Sequence, residues 1–236
     1  MGLPILEHPT FELTIPSTGK PLTYRPFLVK EEKVLLLAQE SDEMKDLTRA
    51  IKQVLKNCIV DGEVDLDAAP TFDIEYMFLQ LRANSVNNKA KFHINDPESK
   101  KPIEIELDLK QINVQYKDNH NSLIKLNDNV SLQMKYPTYE TISLFDNMDN
   151  VVDTTFGMIK YCVDKILVGK EEVHEFKDYS DKEIDEFVDS LTTENFQEIQ
   201  TFFDTMPRLE HTIEYKVGKK TKTKIFTGLA DFFSYA

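Results

Sequence analysis

Chemistry in this chain would have to come from five histidines, two cysteines and a dense supply of carboxylates, and their spacing speaks against each reaction they could run. A zinc hydrolase helix needs histidines four apart, with a glutamate beside the first. His174-Glu175 begins that pattern, but Asp178 stands at the fourth position on. His8, His93, His120 and His211 have no neighbour at ligand spacing, so surface or loop histidines are expected. The run Asp61-Gly62-Glu63-Val64-Asp65-Leu66-Asp67 offers calcium enough oxygen. An EF-hand loop needs Gly at its sixth place and Glu at its twelfth, which here are Leu66 and Phe72. A solvated acidic loop is the better reading. Gly19-Lys20-Pro21 and Gly218-Lys219-Lys220-Thr221 lack the upstream glycine of a phosphate cradle. Neither a GxGxxG run nor a GxSxG elbow occurs. Cys58 and Cys162 lie in helix-like apolar patterns and read as buried thiols, not as a secreted disulfide framework. The expectation is a protein without catalytic residues, metal or cofactor.

Two other features point to contact rather than reaction. Lys216, Lys219, Lys220, Lys222 and Lys224 gather on the last hairpin of an otherwise acidic chain. They fit either a solvated tip whose lysines blunt an edge strand or a docking surface for an acidic partner. The segment Gly228-Leu229-Ala230-Asp231-Phe232-Phe233 sets two adjacent aromatics near the end of the sequence. It fits either a clasp on this protein's own core or an anchor for a partner.

The 236 residues carry a formal charge of -13, with 41% hydrophobic and 29% charged residues. That composition is globular. The charge repels phosphate backbones, so neither nucleic acid nor an anionic membrane is the expected partner. Met1 to Glu7 lacks a basic region followed by an apolar run, so no signal peptide is expected. No stretch approaches the roughly 18 apolar residues of a membrane span. A soluble protein of a cytoplasm is the expectation.

Elements that would hold these residues follow from the periodicity. Phe11 to Ile15 and Leu22 to Phe27 alternate around a Pro16 to Lys20 turn, which predicts a hairpin. Helices are predicted over Leu28 to Ser41, Met44 to Ile59 and Phe72 to Val86. Apolar residues crowd most of the third one's circumference, so it should be central. Short strands follow over 91–95, 103–109, 111–116, 123–126 and 130–134, with turns at Asp96-Pro97-Glu98-Ser99 and Asp118 to Asn121. Helices return over Thr138 to Phe145 and over Val151 to Val168. Ser180-Asp181-Lys182-Glu183 is a capping box opening another, and Thr193 is the expected cap of the next. A second hairpin covers Glu210 to Val217 and Thr221 to Thr227. The fold class is α+β, with helical halves, a small antiparallel β module in the middle and β-hairpins near both termini. The divisions are 1–88, 89–136 and 137–236, or one compact domain holding all three. Helices followed by a hairpin at 89–109, and again at 210–227, form a weak internal echo that fits duplication or coincidence.

Several segments resemble baseplate hub and hub assembly proteins of T-even-type contractile-tailed bacteriophages. They are Phe11 to Lys20 (FELTIPSTGK), Tyr24 to Lys33 (YRPFLVKEEK), Ala50 to Cys58 (AIKQVLKNC), Phe72 to Arg82 (FDIEYMFLQLR) and the Gly228 to Phe233 tail. The resemblance spans most of the chain. It implies a non-enzymatic, chaperone-like factor that helps build the hub, binding hub, spike or tape-measure proteins in the host cytoplasm. A permanent hub subunit in the virion is the alternative, and a hydrolase working through carboxylates is a remote third. Arg25, Phe27, Lys219, Lys220, Leu229, Phe232 and Phe233 are the expected contact residues, and a homo-oligomer is left open. Cys-x-x-Cys pairs in the hairpins of some relatives would make zinc knuckles. Here Asn95-Asp96-Pro97-Glu98 and Lys216 to Thr223 hold no cysteine, so no metal is expected.

Overall fold

A computed structural model describes residues 6–41, 43–95, 102–145, 151–169, 172–218 and 220–233. The expected turn at Asp96 to Ser99 and the contact residue Lys219 lie outside the described residues. In chain order the elements are β1 (Phe11–Thr14), β2 (Pro21–Tyr24), α1 (Val29–Gln39), α2 (Met44–Cys58), β3 (Ile59–Asp61), α3 (Thr71–Ser85), β4 (Lys89–Asn95), β5 (Pro102–Asp108) and β6 (Asn113–Gln115). Then come β7 (Leu123–Lys125), β8 (Val130–Met134), α4 (Tyr139–Ser143), α5 (Val151–Cys162), β9 (Val163–Val168), β10 (Glu172–Glu175), α6 (Asp181–Asp189) and α7 (Thr193–Thr205). The last are β11 (Arg208–Val217), β12 (Lys220–Thr227) and α8 (Gly228–Phe233). The class is α+β, as the change of period along the chain predicts.

Contacts divide the chain into two units, Met1–Gln115 with Arg208–Ala236, and Tyr116–Pro207. The expected boundaries after 88 and 136 differ from these. Strands β4 to β6 join the first unit, β7 and β8 join the second, and β11, β12 and α8 return to the first. The physical reason is strand pairing at long range: Leu209 of β11 lies opposite Val114 of β6. Alternation reveals a strand but not its partner.

The first unit is built around α3. Its crowded circumference is buried as predicted, with Ile74, Met77 and Leu79 fully enclosed. The Ile51, Val54, Leu55 and Cys58 stripe of α2 is buried too. The β1–β2 hairpin turns through Gly19, whose φ of 68° suits glycine, and its N–H donates to the Ile15 carbonyl at 2.8 Å. Asp73, third residue of α3, accepts from the Ser17 N–H at 2.9 Å and from the Ser17 hydroxyl. That ties the turn to the helix start. Two further sheets complete the unit, β4–β5 and β12-β11-β6. Phe92, Phe226 and Phe232 meet in its core, with ring centroids 5.1, 5.9 and 6.4 Å apart.

The second unit packs α5, α6 and α7 against a sheet of order β10-β9-β8-β7. Its main difference from expectation is the predicted helix over Val151 to Val168, which ends at Cys162. Residues 163–168 turn into β9, paired antiparallel to both β8 and β10. Phe156, Ile159, Val163 and Ile166 keep helical spacing straight through the change, so period alone hides it. The Ser180 capping box opens α6 as expected. The α7 cap is Thr192 rather than Thr193: its hydroxyl accepts from the Asn195 N–H, and the Asn195 side chain accepts from the Thr192 N–H, both at 3.2 Å.

Each unit repeats one motif. In the first, the Arg25 N–H after β2 donates to the Cys58 carbonyl ending α2 (2.9 Å), and β3 pairs with β2 through an irregularity at Thr23/Tyr24. In the second, the Lys135 N–H after β8 donates to the Cys162 carbonyl ending α5 (2.7 Å), and β9 pairs with β8 through a shift at Gln133/Met134. The third residue of the later helix reaches the hairpin turn in both, Asp73 to Ser17 and Asn195 to the Leu126 carbonyl at 3.0 Å. The internal echo is therefore a repeated hairpin, helix pair, strand and helix, with β10 and α6 inserted before the last helix in the second unit. It is longer than the helices-then-hairpin pattern in the sequence.

Candidate functional site

Groups whose chemistry could be reactive are engaged in structural ties. Burial pushes the Cys58 thiol up to about 11 and the Cys162 thiol up to about 12, away from a nucleophilic thiolate. His120 sits between Thr205 Oγ1 (3.0 Å from Nδ1) and Tyr136 Oη (2.9 Å from Nε2), stacked on Tyr136, and burial holds its pKa below the ordinary value. His174 faces Glu172 and Tyr179. In the acidic loop, Asp65 accepts from the N–H groups of Asp67 (3.0 Å) and Ala68 (3.2 Å), and Asp67 pairs with Lys52 at 3.2 Å. Those carboxylates shape their own loop. Among the described residues no group of three or more His, Cys, Asp or Glu could hold a metal ion.

The expected contact residues fall into three settings. Arg25 is half-buried and clamped: its guanidinium donates to Glu31 (3.0 Å), to the Asn57 carbonyl near the end of α2 (3.0 Å) and to the Pro26 carbonyl (2.9 Å). Glu31, 1% exposed, also accepts from the Leu28 N–H at 2.9 Å. Burial alone would raise the Glu31 carboxyl, but the bonds from Arg25 and Leu28 outweigh it and hold the pKa below the usual range. Arg25 thus fixes the corner between β2, α1 and α2. Phe27 is half-buried beside it, with its N–H on Ser85 Oγ at 2.9 Å. Next to this corner, α1 leaves Val29, Leu36 and Leu37 exposed, at 80%, 56% and 57%. Sequence reading missed that apolar surface; the Val34 to Leu37 run was its only signal.

The lysine hairpin forms the second setting. The β11–β12 register places Lys220, Lys222 and Lys224 opposite Val217, Tyr215 and Ile213, so these three lysines share one face. Lys216 lies on the other, across from Thr221. Toward the base the lysine face becomes core through Ile213 and Phe226, and Lys224 Nζ stands 5.9 Å over the Phe226 ring. Strand β12 is the outer strand of its sheet.

The tail is the third. Leu229 (2% exposed) and Phe232 (0%) are buried in the first unit, where α8 packs on β12, β11 and α3. For these two residues the structure shows the packing that the self-clasp alternative describes. A short helix has an inward face, and here Leu229 and Phe232, three apart, form it. The side chain of Phe233 lies outside the described residues.

Sequence reading also missed an open groove of about 450 Å³ in the second unit, between the β7 edge strand and α7. Leu123, Leu126 and Phe202 line its apolar part, and Asp128, Glu194 and Glu198 its acidic part. No helix among the described residues is long and apolar enough to cross a membrane.

A family model described as T4 bacteriophage base plate protein matches residues 8–234. No curated protein and no solved structure matches significantly.

Proposed function

Because the chain belongs to the T4 bacteriophage base plate protein family, we propose that it works without catalysis as a chaperone-like factor in assembly of the baseplate hub, binding hub, spike or tape-measure proteins in the host cytoplasm. The observation that carries this reading is the family match over residues 8–234, nearly the whole described chain. The site chemistry is consistent with it. A hydrolase would bring two carboxylates with shifted pKa values into one cleft. Here each shifted carboxyl among the described residues has its own local partner: Glu31 is lowered in the Arg25 corner, Glu104 by Lys91, Glu175 by Lys165 and Glu183 by Ser180, while the buried Asp73 is raised and held by Ser17. The surfaces best suited to contact are the exposed apolar side of α1 near Phe27 and the lysine face of the last hairpin.

Co-expression with the hub, spike and tape-measure proteins, followed by pull-down, tests the proposal. Co-purification with at least one is expected, and failure with all of them would sink it. The family description names the base plate itself, and this favours a second reading, a permanent subunit of the tail. Mass spectrometry of purified virions separates the two: a stoichiometric peptide signal supports the subunit, and its absence supports the assembly factor.

A further inference from the structure

The formal charge is divided unequally between the two units. Residues 116–207 hold 8 Lys and no Arg against 19 Asp and Glu, a net of -11, which leaves -2 of the total -13 to the first unit. Within the first unit the hairpin over residues 208–227 holds 6 basic residues against 2 Glu, a net of +4. One chain therefore carries two patches of opposite sign on separate units.

Their shapes differ as well. The positive patch is a two-stranded ribbon presenting Lys220, Lys222 and Lys224 beside Tyr215 and Val217. The negative one is the β7–α7 groove, apolar along Leu123, Leu126 and Phe202 and acidic along Asp128, Glu194 and Glu198. Lys125 in that groove is already paired with Asp128 at 2.9 Å, so Glu194 and Glu198 set its sign. A ribbon with a cationic row suits a groove with an acidic wall, whose remaining lining is mostly amide and hydroxyl side chains with a small apolar edge at Leu123 and Leu126.

We propose that the β11–β12 hairpin of one copy docks in the β7–α7 groove of a second copy. The proposal rests on the reading that this protein works through protein contacts. The two surfaces are unlike each other, so the association is head-to-tail and grows until it closes into a ring or continues as a chain. Its strength falls with salt, since screening reaches about 3 Å at 1 M.

The test uses the full chain and light scattering after size exclusion, at about 0.05 M and about 1 M salt. A mass above the 27.4 kDa protomer at low salt, returning to it at high salt, is expected. The hairpin variant K220E/K222E/K224E and the groove variant E194K/E198K should each weaken association on the order of tenfold or more. All five positions are on the surface or at the groove wall, and circular dichroism checks that both variants keep the fold. An equal mixture of the two variants should associate again, because each reversed patch then meets its complement. A protomer mass at low salt, wild-type association by either variant, or no recovery on mixing would overturn the proposal. Hub proteins that co-purify with a strictly monomeric chain would sink this inference alone. An oligomer that captures no hub, spike or tape-measure protein would sink the functional reading and leave this one standing.

Discussion

Replacing Phe232 with alanine separates a clasp from a contact residue. Its ring is fully buried, stacked on Phe226 at 5.9 Å and edge-on to Phe92 at 6.4 Å. An aromatic side chain of this kind buries about 150–250 Å², worth about 4–6 kcal/mol at 25 cal/mol/Å². Large-to-small replacements of buried Phe cost about 3–5 kcal/mol once the cavity partly relaxes. With a urea slope of about 2 kcal/mol/M, the transition of the first unit should fall by roughly 2 M. Far-UV circular dichroism in urea reads it. Phe232→Leu keeps most of the volume and should lose about 1 kcal/mol. A Phe232→Ala midpoint within about 0.3 M of wild type, together with lost pull-down of a hub protein, would refute the core assignment and restore the tail as a contact surface.

Three further outcomes follow from the corner, the thiols and the cap. Arg25→Gln leaves Glu31 buried without its guanidinium and should cost about 2–4 kcal/mol at pH 7. Glu31 has a folded pKa below its unfolded value, so its contribution is present above about pH 4.5 and disappears as pH falls through the folded pKa. The gap between variant and wild type should therefore narrow progressively as pH falls below about 4.5 in urea titrations. Cys58 and Cys162 should resist a maleimide at pH 8 in the native protein and both react in denaturant; fast native labelling would contradict their burial. Thr192→Ala removes the hydroxyl that accepts from the Asn195 N–H, while the backbone N–H at 192 keeps its bond to the Asn195 side chain, and should destabilise the second unit by about 1 kcal/mol in thermal or urea melts.

What the sequence shows of this fold is what local physics writes into it. The all-round crowding of α3, the Ser180 to Glu183 capping box and the strict alternation of β5 each express a rule acting within a few residues. The switch from α5 to β9 is hidden because Val163 and Ile166 continue the helical stripe, while what selects a strand is the β8 and β10 ladder on either side. Strand β3 is three residues long, too short to show a period. At the candidate surfaces, the sequence left Leu229 and Phe232 open between clasp and anchor, and their burial is the packing a clasp describes. Arg25 looks like an exposed cation until Glu31, six residues on, takes its guanidinium. The unequal charge was present in the sequence throughout, but it has no meaning until the β6–β11 pairing defines the units.

That pairing also sets an order of events at the ribosome. Helix α3 is made early, yet the β11 strand and α8 that pack against it are made after all 92 residues of the second unit. At about 5–20 residues per second, the first core waits roughly 5–20 s with an apolar helix incompletely covered. The second unit, contiguous in sequence, can finish folding within that interval. The last-made strands complete the first-made core, so a chain interrupted before Arg208 would hold a finished second unit and an open first one, a species prone to capture by chaperones or to aggregation.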